Sequence, residues 1–227
     1  MSFADLLIAD EVELAEHYPN RAEHAADGLV HAIGILGALI GGGILVSAAL
    51  IDGGFSLGAA SGLYAASLLA MLSFSAVYNL TRPSPARRIL RRLDEAGIFL
   101  MIAGSYTPLT MKLLPAELAV AATVFVWVAA IAGAGGKVFA PQISDRVWCL
   151  IYLAFGWLSV PLVMPGLAQI PPLGIAMLVA CGVLYSAGIL IYLNHKIPFR
   201  RAAWHGLVIT AAALHYGAVF LLIAPGV

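Results

Sequence analysis

The chain of 227 residues is 62% hydrophobic and 11% charged, and its 12 Lys+Arg balance 12 Asp+Glu to a formal net charge of zero. Soluble domains run at about 45–50% apolar and about 25% charged residues, so this chain cannot build a water-facing surface and a polytopic membrane protein is expected. A zero net charge supplies no field for nucleic acid, which leaves membrane lipids as the expected partners. Cys149 and Cys181 lie in apolar stretches with no metal-ligand spacing and are expected to pack.

Residues 1–28 form the one polar run of any length, expected as a cytoplasmic acidic N-terminal segment. In it Phe3, Leu6, Leu7, Val12 and Leu14 alternate with Asp5, Asp10, Glu11, Glu13 and Glu16, a short amphipathic pattern whose charge suits a solvated cap better than an anionic lipid surface. No basic run followed by an apolar core and a small-residue cleavage site precedes the first span, which is expected to insert the chain itself.

Residues 29–227 read as one membrane domain of seven apolar runs, near 29–51, 56–80, 94–113, 117–137, 146–164, 171–193 and 202–224. Each is close to the roughly 20 residues that cross about 30 Å of hydrocarbon. Each must be helical, because an open strand would leave backbone groups unpaired in lipid. The predicted fold is therefore all-α, a seven-transmembrane-helix bundle. The breaks between runs hold Asp52-Gly53-Gly54, Arg82-Pro83-Ser84-Pro85, Pro115, Pro141, Pro165-Gly166 with Pro171-Pro172, and Lys196-Ile197-Pro198.

Eleven of the 12 Lys and Arg residues fall in the N-terminal segment and the loops after spans two, four and six, and only Lys112 falls on the other side. That bias predicts a cytoplasmic N-terminus and an external C-terminus in the cell membrane. Close glycines such as Gly37 and Gly41 are expected to let helices approach one another.

With this topology His31, Ser75, Asn79, Asp94, Arg201 and His205 fall at one depth, toward the cytoplasmic side. Ser75 and Asn79 share a helical face at i,i+4, and so do Arg201 and His205. Each also has an ordinary structural use. His31 could bond a neighbouring helix, Ser75 its own backbone carbonyl, and Asp94 could cap its helix. Arg200 and Arg201 could reach the interface, while Tyr78, Tyr106, Trp157 and Trp204 could be bundle aromatics. His215, ten residues and roughly 15 Å beyond His205, is expected to pack away from this cluster.

Glu23-His24-Ala-Ala-Asp27 through His31-Ala-Ile-Gly34, Ser75-Ala-Val-Tyr78, Leu93-Asp94 with Ile102-Ala-Gly-Ser-Tyr-Thr-Pro108, Gly156-Trp157, and Trp204-His205 with His215 resemble, in this order, the hemolysin III group of the progestin and adipoQ receptor family. The resemblance spans nearly all seven runs. It implies a seven-helix bundle with a cytoplasmic N-terminus. It also implies a zinc ion near the inner leaflet, held by one His from span two and a His-x-x-x-His pair from span seven, beside a Ser and an Asp. In eukaryotic relatives that constellation is linked to hydrolysis of lipid amides.

This chain departs from the pattern at two positions, with Asn79 where span two should supply His and Arg201 where span seven should begin its pair. Only His205 remains of three ligands, and catalytic zinc usually has three. Zinc held in the family manner is therefore not expected. The expectation instead is that the Arg201 guanidinium stands in for the metal and pairs with Asp94, making a structural lock. A metal on His31, Asp94 and His205 is the alternative arrangement.

Three functions follow, in order of expectation. The first is a non-catalytic sensor or a lipid- or partner-binding bundle, taking a lipid-like small molecule. The second is a metal-dependent membrane hydrolase of lipid amides or esters, with Ser75 and Asp94 as candidate catalytic residues. Ser75 shows no His-Asp pairing that spacing alone reveals. The third is a haemolysin-like pore, disfavoured because the spans lack a polar stripe.

Overall fold

The computed structural model describes residues 18–140 and 142–224. The acidic pattern from Phe3 to Glu16 lies outside the described residues. Among those described, the chain is helical throughout, in the order α1 (Arg21–Leu80), α2 (Arg87–Leu113), α3 (Ala116–Phe139), α4 (Asp145–Trp157), α5 (Ser159–Val163), a 3-10 turn (Met164–Gln169), α6 (Pro172–Leu193) and α7 (Arg200–Ile223). Five stretches among the described residues are long and apolar enough to cross a membrane: Arg21–Leu80, Ala116–Phe139, Asp145–Gln169, Pro172–Leu193 and Arg200–Ile223. A multi-pass membrane protein is the consequence.

α1 begins where Asn20 caps it, its side-chain oxygen accepting the Glu23 amide at 2.9 Å while its Nδ2 donates to Glu23 Oε1 at 3.3 Å. Its 60 residues are not one rod. Gly54 breaks it at φ 70°, ψ −168°, a conformation almost confined to glycine. The two arms then run back along each other. Gly28 faces Leu80, Gly42 faces Ala65, Gly62 faces Val46 and Gly58 faces Leu50, an antiparallel register that carries Asp27 and His31 to the level of Ser75 and Asn79. Residues 21–28, read from sequence as part of a polar cap, thus form the first two turns of this helix.

α2 lies against the second arm. A side chain at Gly104 would meet Ser67 at 2.5 Å, and one at Gly97 would meet Phe74 and the Met71 backbone. The span-three string Ile102–Pro108 is largely structural. The Tyr106 hydroxyl donates to the Phe155 and Gly156 carbonyls at 2.6 Å, and Trp127 Nε1 donates to Thr107 Oγ1 at 3.0 Å, tying α2 to α4 and α3. α7 packs on α6 and on α1, and its face meets the first arm where Ile209 fills the space left by Gly34. One apolar core joins the arms of α1, α2, the 3-10 turn and α7 through Leu45, Tyr64, Leu109, Val219 and Ile223. A second joins α2, α3 and α4 around Phe99, Tyr106, Val126 and Trp148.

At one end of the bundle α2, α3 and α4 are clamped by charge. Lys137 reaches Glu95 at 2.9 Å and Asp145 at 3.4 Å, and Arg91 reaches Glu95 at 3.1 Å and Asp145 at 2.9 Å. Lys137 also sits 5.3 Å from the Trp148 ring, and the Tyr152 hydroxyl donates to the Glu95 carbonyl at 2.9 Å. Two cations and two carboxylates cancel, which offsets the cost of holding Lys137 in a buried position.

Candidate active site

A cavity of about 850 Å³ opens among the helices. Much of its wall is aliphatic and aromatic, for example Met71, Leu72, Met101 and Leu178, and its polar end carries His31, Ser75, Asn79, Asp94 and His205. The hairpin of α1 and the start of α7 build that end. Asp27 and His31, one turn apart, lie on one face of the first arm; Ser75 and Asn79 lie opposite on the second; His205 enters from α7.

The contacts form one connected network. His205 Nδ1 lies 2.6 Å from Asp27 Oδ1, and His205 Nε2 lies 3.3 Å from Ser75 Oγ. His31 Nε2 approaches the same hydroxyl at 3.2 Å, while His31 Nδ1 lies 2.9 Å from the Asp27 backbone carbonyl. The two imidazoles meet edge to face, their centroids 4.4 Å apart. Asn79 Nδ2 donates to the Ser75 carbonyl at 3.0 Å and to Ser75 Oγ at 3.3 Å. Asp27 is fully buried behind the histidines, and the Tyr18 hydroxyl donates to its Oδ2. Burial, then the hydrogen bond and charge of Asp27, raise the Tyr18 phenol above its ordinary range, so it stays a donor.

Asp27 is a second carboxylate at the site, beside the Asp94 that sequence reasoning singled out, whose carboxyl neighbours Ser75. Asp94 is half-buried and lines the cavity near Ser75, but it forms no ion pair with Arg201 among the described residues. Arg201 instead stands with its guanidinium carbon 4.9 Å from the centre of the Tyr18 ring. The lock of Arg201 on Asp94 is therefore not formed: the Tyr18 ring, at the mouth of α1, holds the guanidinium beside the cluster. Asp27 carried a signal that went unused. Asp27 and His31 are spaced i,i+4 on the first helix, the same spacing that marked Ser75–Asn79 and Arg201–His205. Cutting the membrane domain at residue 29 separated the two. His215 meets the Tyr64 hydroxyl at 3.2 Å instead of joining the cluster.

A family model described as Haemolysin-III related matches residues 21–216. The chain belongs to this family, the hemolysin III group of the progestin and adipoQ receptors. This hemolysin III chain is 29% identical over 203 residues to "Hemolysin-3" of Bacillus cereus, covering 89% of its own length and 93% of that protein. It is 30% identical over 194 residues to "Hemolysin-3 homolog" of Bacillus subtilis (strain 168), covering 84% and 90%. It is also 30% identical over 212 residues to "Monocyte to macrophage differentiation factor" of Homo sapiens, covering 89% and 85%. No solved structure matches it significantly.

The zinc that the family resemblance implies does not fit its usual three positions in this hemolysin III chain. Asn79 turns its amide nitrogen to Ser75, and Arg201 brings a permanent cation where a ligand should be. A different donor set is present: ligand atoms of Asp27, His31 and His205 lie within 4.8 Å of one another.

Proposed function

We propose that this protein is a membrane-embedded hydrolase that cleaves the amide or ester bond of a lipid-like amphiphile held in the central cavity. One observation carries the reading: a serine hydroxyl in the cavity wall is contacted by two imidazoles, one of them backed by a buried carboxylate. An inert bundle needs no such convergence. Polar glue between membrane helices is satisfied by pairs, whereas here two basic nitrogens compete for one proton. The apolar walls suit acyl chains, and the polar end suits the bond to be cut.

The topology that goes with this reading has seven crossings, with the N-terminus cytoplasmic. The arms 21–53 and 55–80 of α1 run antiparallel about Gly54 and count as two passes. α2 adds one, because its second half is apolar although Arg87, Arg88, Arg91 and Arg92 crowd its start. The reactive cluster then lies near the cytoplasmic leaflet, at the arginine-rich end.

A second reading has a metal ion on Asp27, His31 and His205, supported by their donor spacing. It meets a chemical difficulty. On the Nδ1 side both ring nitrogens are engaged with oxygens of Asp27, and on the Nε2 side the Ser75 hydroxyl occupies the point of convergence. We derive no step through a metal.

The test is turnover in proteoliposomes. Wild-type protein and His205→Ala are incubated with a panel of N-acyl and O-acyl amphiphiles, and released fatty acid is quantified by mass spectrometry. Release by the wild type that falls to background in His205→Ala supports the reading. Equal background release from both across the panel removes it.

A further inference from the structure

We propose that Ser75 is a covalent nucleophile, with His205 as its general base and Asp27 as the residue that orients His205. The inference rests on the hydrolase reading of the same cluster and goes further by naming an acyl-serine intermediate.

Ser75 differs from four other hydroxyls of the membrane helices. Ser67 donates to the Leu63 carbonyl at 2.8 Å, Ser186 to Gly182 at 2.7 Å, Thr107 to Ala103 at 2.9 Å and Thr210 to Gly206 at 2.8 Å. All four turn back on their own helix, the usual way to satisfy a hydroxyl in an apolar setting. Ser75 turns its hydroxyl to His31 and His205, with the Asp94 carboxyl alongside.

The protonation pattern follows from the acceptors. Nδ1 of His205 faces a carboxylate oxygen at 2.6 Å, so it must carry the ring proton, because a bare nitrogen there would oppose carboxylate lone pairs. Its Nε2 then presents a lone pair to Ser75. His31 Nδ1 faces a carbonyl at 2.9 Å and carries its proton for the same reason. Both rings feel the Asp27 charge, but its carboxylate lies 2.6 Å from His205 Nδ1 in a direct hydrogen bond and 3.7 Å from His31 Nδ1, so the imidazolium is held more strongly at His205 and the serine proton goes there. His31 and Asn79 hold the hydroxyl in place and are positioning residues. This is the order of roles in an Asp–His–Ser triad, assembled from three helix faces of a membrane bundle.

The chemistry balances with water as the one co-reactant. Ser75 Oγ attacks the substrate carbonyl carbon as its proton passes to His205 Nε2. The bond from that carbon to the leaving nitrogen or oxygen breaks, and His205 returns the proton to the departing amine or alcohol. Water then attacks the acyl-serine, giving its proton to His205, and the ester bond breaks to release a carboxylic acid. Ser75 Oγ recovers the proton from His205. Asp27 remains ionised throughout, holding Nδ1–H.

The experiment uses the full chain in lipid nanodiscs with two serine-directed probes, a long-chain and a short-chain alkyl fluorophosphonate, and locates the adduct by peptide mass spectrometry. One adduct per chain on Ser75 is expected. It should be absent in Ser75→Ala, reduced at least 10³-fold in rate in His205→Gln, and reduced about 10⁴-fold in Asp27→Asn. Thermal unfolding of each variant within a few degrees of wild type keeps a folding failure from passing as support; if Asp27→Asn does not fold, Tyr18→Phe, which weakens the hold on Asp27, should slow labelling about tenfold. Labelling unchanged by EDTA supports the nucleophile. No adduct with either probe overturns the proposal, as does lipid turnover that survives Ser75→Ala and is abolished by EDTA. Labelling needs no natural substrate: a labelled Ser75 without turnover of any panel lipid fails the hydrolase reading alone, and turnover without labelling fails the nucleophile alone.

Discussion

Two polar assemblies lie at the same end of this bundle, and they solve the problem of buried charge in opposite ways. In the clamp of Arg91, Glu95, Lys137 and Asp145, every charge meets an opposite one at 2.9–3.4 Å, and signs cancel. In the cluster of Asp27, His31, Ser75 and His205, one carboxylate is balanced by hydrogen bonds, and two imidazole nitrogens point at a neutral hydroxyl. The first has used up its chemistry in holding helices together. The second keeps basic nitrogens directed at a cavity. Polarity inside a membrane helix is costly in both places, but only the second leaves an arrangement that a structural role does not require.

That contrast is breakable by substitution. The largest expected effect is on the reactive side: Ser75→Ala should reduce acyl-bond turnover by at least about 10⁴-fold while leaving thermal stability nearly unchanged, as read by turnover and Tm on the same preparation. On the clamp side the pattern should invert. Lys137→Met leaves Glu95 and Asp145 to share Arg91 as their one remaining cation, and this excess of negative charge should destabilise the bundle by about 1–3 kcal/mol, seen as a lower Tm in detergent. Adding Glu95→Gln to Lys137→Met should recover much of that loss, because one cation, Arg91, then faces one carboxylate, Asp145.

A gain-of-function pair sharpens the comparison from the family side. Asn79→His with Arg201→His completes the zinc set around His205 that the family resemblance implies, and elemental analysis should then find about one zinc per chain. The smallest effect concerns packing alone. Gly104→Ala puts a methyl group 2.5 Å from Ser67, and the strain of separating α1 from α2 should cost about 1–3 kcal/mol with little change in turnover per folded molecule.

Much of the architecture was legible because the bilayer makes length and apolarity decisive. The helical breaks at Arg82–Pro85, Pro115 and Pro171 fall between observed helices, and Pro172 opens the helix that follows, for the reasons that proline and charge impose. The break at Asp52-Gly53-Gly54, with runs on either side of it, matches the two antiparallel arms about Gly54, and the detail that sequence does not carry is that one glycine makes the whole turn. The site was legible as a set of depths and faces: His31, Ser75, Asn79 and His205 do come together. What depth cannot give is rotation about each helix axis. Asp94 and Asp27 sit at similar levels, and the hairpin register together with the face of α7 decides that Asp27 meets His205. The contact of Arg201 is hidden for a related reason, because its aromatic partner, Tyr18, lies ahead of the first apolar run.

The most direct measurement is the release of leaving group from a chromogenic long-chain acyl ester by wild type and Ser75→Ala, each with and without EDTA. The account predicts release by the wild type that is indifferent to EDTA, with an initial burst of up to one equivalent per chain if deacylation is the slower step, and none above background from Ser75→Ala. Release by Ser75→Ala at the wild-type rate, or release that EDTA abolishes and zinc restores, would contradict it.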